Sequence, residues 1–68
     1  MIPVSNYITP SKITLDAIEG TTESQNTPHL NELCIHRFWR RVEVFRCVYV
    51  AKMNDGRYAI RFERANWK

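Results

Sequence analysis

The chain has 68 residues and a formal net charge of +3, from ten lysines and arginines against seven aspartates and glutamates. A chain this short forms one small domain, 1–68, which excludes a nucleotide-binding βαβαβ unit and a second domain with a cleft between the two. Its 44% hydrophobic and 12% aromatic residues are typical of a globular rather than a disordered protein.

Residues 1–26 form an acidic, polar segment that supports two interpretations. A short helix could begin at Thr9-Pro10 and end at Gly20. The alternation of apolar and polar residues over 13–17 is instead typical of a strand. Because an isolated two-stranded hairpin is only marginally stable in water, we expect 13–18 or 3–8 to supply a third strand.

The segment 27–41 is predicted to be a helix. Thr27-Pro28 provides an N-cap and a first helical residue. The apolar residues that follow at helical spacing are Leu30, Leu33, Cys34 and Phe38. Ile35 and Trp39 fall toward the polar side of this helix. Either the helix ends near Arg37, or these two side chains are exposed for a purpose.

Strands 42–53 and 57–63 are predicted to form a C-terminal β-hairpin. The first is rich in β-branched and aromatic residues, and the second alternates large apolar side chains with charged or small ones. The sequence between them, Asn54-Asp55-Gly56, favours a turn, because Gly56 can adopt a positive φ without strain.

Two registers of this hairpin are possible. A two-residue turn gives the pairs Met53–Tyr58, Ala51–Ile60 and Tyr49–Phe62. A three-residue turn with Gly56 in a bulge gives the pairs Lys52–Tyr58, Val50–Ile60 and Val48–Phe62. We favour the three-residue turn, because it buries Val48 and Val50 beneath the large apolar side chains of the second strand.

Together these elements predict an α+β fold, in which one helix packs on a small antiparallel sheet that contains the C-terminal hairpin. Near the end of the chain, Trp67 is expected to fold back and cap the core, with Tyr7 as a candidate partner.

The cysteines and the N-terminus indicate a cytoplasmic protein. The first residues lack the basic region and apolar run of a signal peptide. The longest apolar stretch, 48–51, is far too short to span a membrane, and we expect no membrane association. Cys34 and Cys47 are therefore predicted to be reduced and mostly buried thiols.

No cofactor, metal site or catalytic residue is predicted. The four soft ligand candidates, which do not have the spacing of known zinc sites, are His29, Cys34, His36 and Cys47. The sequence has no Gly-x-Ser-x-Gly, Gly-rich phosphate loop or His-Glu-x-x-His motif. A cysteine paired with His36 could act as a nucleophile, but no feature marks either thiol as activated. We therefore expect a protein that is not an enzyme.

Positive charge and aromatic residues are concentrated in the second half of the chain. In residues 1–34, one lysine against four carboxylates gives −3, whereas in 35–68 nine basic against three acidic residues give +6. The predicted binding residues are Arg37, Trp39, Arg40 and Arg41, extended on the second hairpin strand by Arg57, Arg61 and Arg64. Arginine binds carboxylates and phosphates through a planar fork, and tryptophan anchors many interfaces.

Two functions fit this pattern. The first is a small binding module that docks on a larger protein or ribonucleoprotein assembly and modulates or inhibits it. Such short free-standing proteins are common among phage and mobile-element proteins that act on host machinery. The alternative is a protein that binds DNA or RNA through its basic, aromatic half. An unpaired hairpin edge could in addition support a homodimer.

Overall fold

The structure, a computed structural model, describes residues 1–65, and the prediction for Trp67 lies outside this range. The strands are β1 (Ile2–Pro3), β2 (Thr9–Ile13), β3 (Ala17–Thr22), β4 (Leu33–Arg37), β5 (Val42–Lys52) and β6 (Tyr58–Arg64). They form one curled, mixed sheet in the order β1-β4-β5-β6-β3-β2, in which only β1 and β4 run parallel. A single 3-10 turn, Val4–Asn6, follows β1.

The predicted α+β fold is wrong, because the segment 27–41 forms no helix. Its central part is β4, which pairs antiparallel with β5, and the only helical element within residues 1–65 is the short 3-10 turn. The apparent helical spacing combines residues that the fold separates. Leu30 is exposed before the strand begins, and Leu33 and Cys34 point to opposite faces of it.

β5 and β6 form the predicted C-terminal hairpin, and near the turn they have the favoured three-residue register. The pairs there are Lys52–Tyr58, Ala51–Ala59 and Val50–Ile60. The Met53 N–H donates a 2.6 Å hydrogen bond to the Arg57 carbonyl, and the Gly56 N–H donates to the Met53 carbonyl at 3.1 Å. Gly56 has a φ of 89°, a conformation that is unfavourable for other residues.

A β-bulge at Val48 shifts this register farther from the turn. Phe62 pairs with Cys47, so the predicted pair of Phe62 with Val48 is wrong. The extra residue reverses the alternation of β5, and therefore Cys47 before the bulge and Val50 after it both face the core. This is why the strand is apolar at both odd and even positions.

The N-terminal half contributes three strands rather than one. β2 and β3 form an antiparallel hairpin, and β3 pairs with β6. The turn of this hairpin is closed by Thr14, whose Oγ1 accepts hydrogen bonds from the N–H groups of Asp16 and Ala17 at 3.3 and 3.0 Å. The helix from Thr9 to Gly20 is wrong, and the alternation over 13–17 spans this turn rather than a strand. The expected third strand does form beside the C-terminal hairpin, but it is β3 at Ala17–Thr22 and not 13–18 or 3–8.

The core lies on the inner face of the curled sheet. It consists of Val4, Ile8, Ile18, Cys34, Phe45, Cys47, Ile60 and Phe62. Both cysteines are fully buried and are not joined by a disulfide, which confirms the prediction of buried thiols. The opposite side of the sheet is called the outer face, and it carries the alternate residues of each strand.

Candidate functional site

The first four predicted binding residues lie together at one end of the molecule. Arg37 ends β4, and Trp39, Arg40 and Arg41 form the loop that leads into β5. Because β4 and β5 are adjacent and antiparallel, this loop is the tip of a hairpin. The strands therefore hold the arginines and the tryptophan on one exposed projection.

The three predicted binding residues of the second hairpin are spread along the sheet instead. Arg57 lies in the β5–β6 turn, at the far end of β5, an 11-residue strand about 35 Å long. Arg61 lies midway along β6, and Arg64 ends it, opposite Phe45. All three are already ion-paired, with Asp55 at 2.9 Å, Glu19 at 2.7 Å and Asp16 at 3.9 Å respectively.

The β4–β5 hairpin differs from the rest of the sheet in its charge balance. Arg41 in the loop pairs with Glu43. Within the described range 1–65, no carboxylate lies within 4.0 Å of Arg37, Arg40 or Arg46. All three belong to this hairpin, so these three guanidinium groups remain available to a partner's carboxylates.

The loop at the tip of this hairpin holds Trp39 in solvent, and the base of the loop is anchored to the core. The Phe38 N–H donates a 2.7 Å hydrogen bond to the Arg41 carbonyl, which closes the loop. The Phe38 ring packs edge-on against His36, at a centroid distance of 4.8 Å, and lies 6.0 Å from Phe45 in the core. Trp39, in contrast, is 91% exposed. Exposing a whole indole to water is unfavourable, and buried tryptophans dominate many interfaces.

Beside this loop, the outer face of β4 and β5 carries an apolar patch that the sequence reasoning missed. Cross-strand pairing aligns Leu33 with Arg46, Ile35 with Val44, and Arg37 with Val42. These six residues and Trp39 are called the docking face below. Val42 is exposed and the other three aliphatic side chains are half-buried, on a side of the sheet that faces water. A solvated sheet face normally carries polar residues, and an apolar patch with a charged rim is typical of an interface.

The sequence does contain a signal for this patch. In 33–37 and in 42–46, two aliphatic residues and then an arginine occupy alternate positions, as Leu-x-Ile-x-Arg and Val-x-Val-x-Arg. Each pattern is the alternation of a strand with one aliphatic face, and the core residues Cys34 and Phe45 lie on the opposite face. Only the pairing of the strands shows that these two aliphatic faces lie side by side and outside the core.

An open groove of about 400 Å³ borders the docking face. It lies where the chain leaves β1 for the 3-10 turn, so that β4 has no neighbouring strand on that side after Ile35. Its lining consists of Pro3, Ser5, Ile35, His36, Arg37 and Val42. The groove has room for an apolar side chain of a partner, next to the guanidinium of Arg37.

The two thiols lack the features of an activated cysteine. Burial raises the pKa of Cys34 to about 11, and burial also raises the pKa of Cys47. Burial and a raised pKa both act against the thiolate form that a nucleophile or a metal ligand requires. Over the described part of the chain, no three histidine, cysteine, aspartate or glutamate side chains gather as metal ligands would.

No family model, curated protein or solved structure matches this chain. Residues 1–65 also contain no helix that is long and apolar enough to cross a membrane.

Proposed function

We propose that this chain is a small, non-enzymatic, cytoplasmic binding module that docks on a larger protein or ribonucleoprotein assembly and modulates or inhibits it. The observation that carries this proposal is the 91% exposed Trp39, held on a loop that Phe38 fixes to the core. In a complex, Trp39 enters an apolar pocket of the partner, and the aliphatic residues of the docking face pack beside that pocket. The two free, buried thiols suit a reducing compartment.

The chemistry of the docking face favours a protein surface over a nucleic acid. Its centre is aliphatic, as in the cores of protein interfaces, whereas protein–DNA interfaces are polar and strongly basic. The arginines that would extend a basic track along β6 are neutralised by Glu19, Asp16 and Asp55. The partner surface is expected to be apolar with a rim of carboxylates, which match Arg37, Arg40 and Arg46.

The test compares capture of a partner by the wild-type chain and by single variants. Affinity chromatography from lysate of the native host, read by mass spectrometry, identifies the partner, whose affinity is then measured with purified proteins. Trp39→Ala is expected to weaken binding by about 30-fold or more, since truncating an anchoring tryptophan removes at least about 2 kcal/mol. Arg40→Ala is expected to weaken binding less.

The matched control is Arg57→Ala, which removes an arginine at the opposite end of β5 and should leave binding unchanged. Circular dichroism of each variant should match the wild type, because neither Trp39 nor Arg40 contributes to the core. The proposal is wrong if the purified chain binds generic DNA or RNA with an affinity that falls steeply with salt, while no purified protein component of the captured material binds it. It is also wrong if Arg57→Ala and Trp39→Ala weaken binding equally.

A further inference from the structure

β5 has an open edge on the side that faces β4. β4 pairs with β5 only from Val42 to Arg46, and Asn31 and Glu32 extend the contact by two backbone hydrogen bonds to Cys47. From there to the β5–β6 turn, β5 pairs with β6 on one side only. Along 49–52, within the described residues, this side of β5 has no neighbouring strand.

The hydrogen bond at the turn determines which backbone groups face this edge. The Met53 N–H bonds to Arg57 on the β6 side. Because backbone groups alternate in direction along a strand, those of Ala51 also face β6, whereas those of Val50 and Lys52 face outward. In the described part of the chain, the outward N–H and C=O groups of these two residues have no hydrogen-bond partner.

We infer that this edge pairs with the same edge of a second copy of the chain, antiparallel about a two-fold axis at Ala51. In this register Val50 of each copy lies opposite Lys52 of the other, and the outward groups of both residues form four hydrogen bonds. Each Lys52 faces a valine rather than the other lysine, so no like charges are directly opposed.

The same register also brings the exposed apolar side chains of β5 in the two copies into contact. On the outer face it places Tyr49 of each copy opposite Met53 of the other, with the two Ala51 residues between them. Tyr49 is 53% exposed and Met53 is 37% exposed, and the contact removes both from water. A thioether against an aromatic ring is a favourable pair.

The two terminal strands of the sheet, β1 and β2, are poorly suited to pairing with a second copy. β1 has two residues, one of which is Pro3. β2 contains Pro10 and Lys12, with a bulge between them. Proline, lysine and bulges are the features that prevent strand addition at an edge. The stretch 49–52 of β5 contains none of these features except its terminal lysine, because the bulge at Val48 lies just before it, and a second copy therefore adds there. This inference does not depend on the function of the docking face.

The test is the mass of the purified chain in solution, from sedimentation velocity up to about 1 mM protein. We expect a concentration-dependent dimer. Lys52→Pro removes an outward N–H, and Ala51→Glu places two carboxylates face to face on the axis. Both variants should be monomeric with an unchanged circular dichroism spectrum, because both positions lie outside the core.

Cysteine cross-linking tests the register. Across a non-hydrogen-bonded pair the two Cα atoms are about 4.5 Å apart, so Ala51→Cys should form an intermolecular disulfide when diamide is added as the oxidant. Ala59→Cys, the neighbour of Ala51 on β6, is the matched control and should stay monomeric on a non-reducing gel. A wild-type chain that is monomeric at all concentrations would overturn the inference. So would a dimer that Lys52→Pro leaves intact, or an equal yield of cross-link at the two positions.

Discussion

Among individual residues, Tyr7 and Glu32 join two distant segments of the first half of the chain. The Tyr7 hydroxyl donates a 2.6 Å hydrogen bond to Glu32 Oε2, and the His29 N–H donates to Oε1 at 3.1 Å. The hydrogen bond to the carboxylate, and secondarily burial, raises the pKa of Tyr7 to about 12. The same hydrogen bond lowers the pKa of Glu32. This contact ties the segment before β2 to the residue before β4.

This contact predicts a specific pH dependence of stability. Because the folded-state pKa of Tyr7 is raised from 10, its stabilisation is complete below pH 10 and is lost as the pH rises through about 12. Glu32 behaves in the opposite way, since its pKa is lowered: its contribution is present above its ordinary pKa and is lost as the pH falls through the lowered value. The phenol therefore sets the alkaline limit of the stability that this contact contributes, and the carboxylate sets its acid limit.

The substitution Tyr7→Phe isolates the alkaline effect. Near neutral pH it should lower the free energy of unfolding by about 1 kcal/mol, the usual value of one hydrogen bond. The difference between the wild type and Tyr7→Phe should shrink steadily above pH 10, as measured by urea titrations at successive pH values. Tyr49→Phe is the matched control, because Tyr49 is an exposed tyrosine on the sheet. A difference that stays constant into strong alkali would contradict the link to Tyr7 ionisation.

Among the elements, the β2–β3 hairpin depends on one close approach. Gly20 pairs with Pro10, and a Cβ at Gly20 would collide with the carbonyl oxygen of Thr9 and lie 3.0 Å from the Ile8 side chain. Gly20→Ala should therefore force β2 away from β3 and cost about 1–3 kcal/mol of stability. The control is Thr21→Ala, one residue along the same strand. Urea unfolding followed by circular dichroism measures both, and equal midpoints would show that the two strands can separate at little cost.

The hairpins of the sheet also show which elements the sequence can predict. β5 and β6 were predictable because β-branched residues and the turn at Gly56 are local signals that agree with the tertiary structure. β4 was not predictable in the same way. Its residues can satisfy a helical spacing, and only pairing with β5 makes the strand more stable than the helix. The position of the bulge at Val48 likewise could not be predicted, because it depends on the match between two strands.

The candidate site was predictable in its polar and aromatic part only. Arg37, Trp39 and Arg40 are prominent in the sequence and do lie together in the structure. The aliphatic side chains beside them were missed, because in a predicted helix Leu33 and Ile35 point in different directions. As neighbours on one strand face they are instead part of a continuous patch. A local sequence pattern identifies residue types that can bind a partner, whereas the pairing of strands determines which of these residues lie on one surface.

At the scale of the whole molecule, the sheet order brings the acidic half of the chain into contact with the basic half. β3 carries Glu19 and pairs with β6, which carries Arg61 and Arg64. The −3 of the first half and the +6 of the second are therefore partly neutralised within the sheet, by Arg61 with Glu19 and by Arg64 with Asp16. Among residues 1–65, the arginines that have no carboxylate partner lie on the β4–β5 hairpin, so the topology itself concentrates positive charge at and beside the docking face.

The Arg61–Glu19 pair tests how far this neutralisation also stabilises the fold. The two side chains are 39% and 41% exposed, and Arg61 is shared with Glu63 at 3.3 Å, so water and salt reach the pair. A double-mutant cycle with Arg61→Gln and Glu19→Gln should give a coupling of about 0.5 kcal/mol at low salt. In about 1 M NaCl, where the Debye length is about 3 Å, the coupling should fall close to zero. A coupling above about 2 kcal/mol, or one that salt leaves unchanged, would instead mean that the pair is shielded from water and holds the two halves of the sheet together.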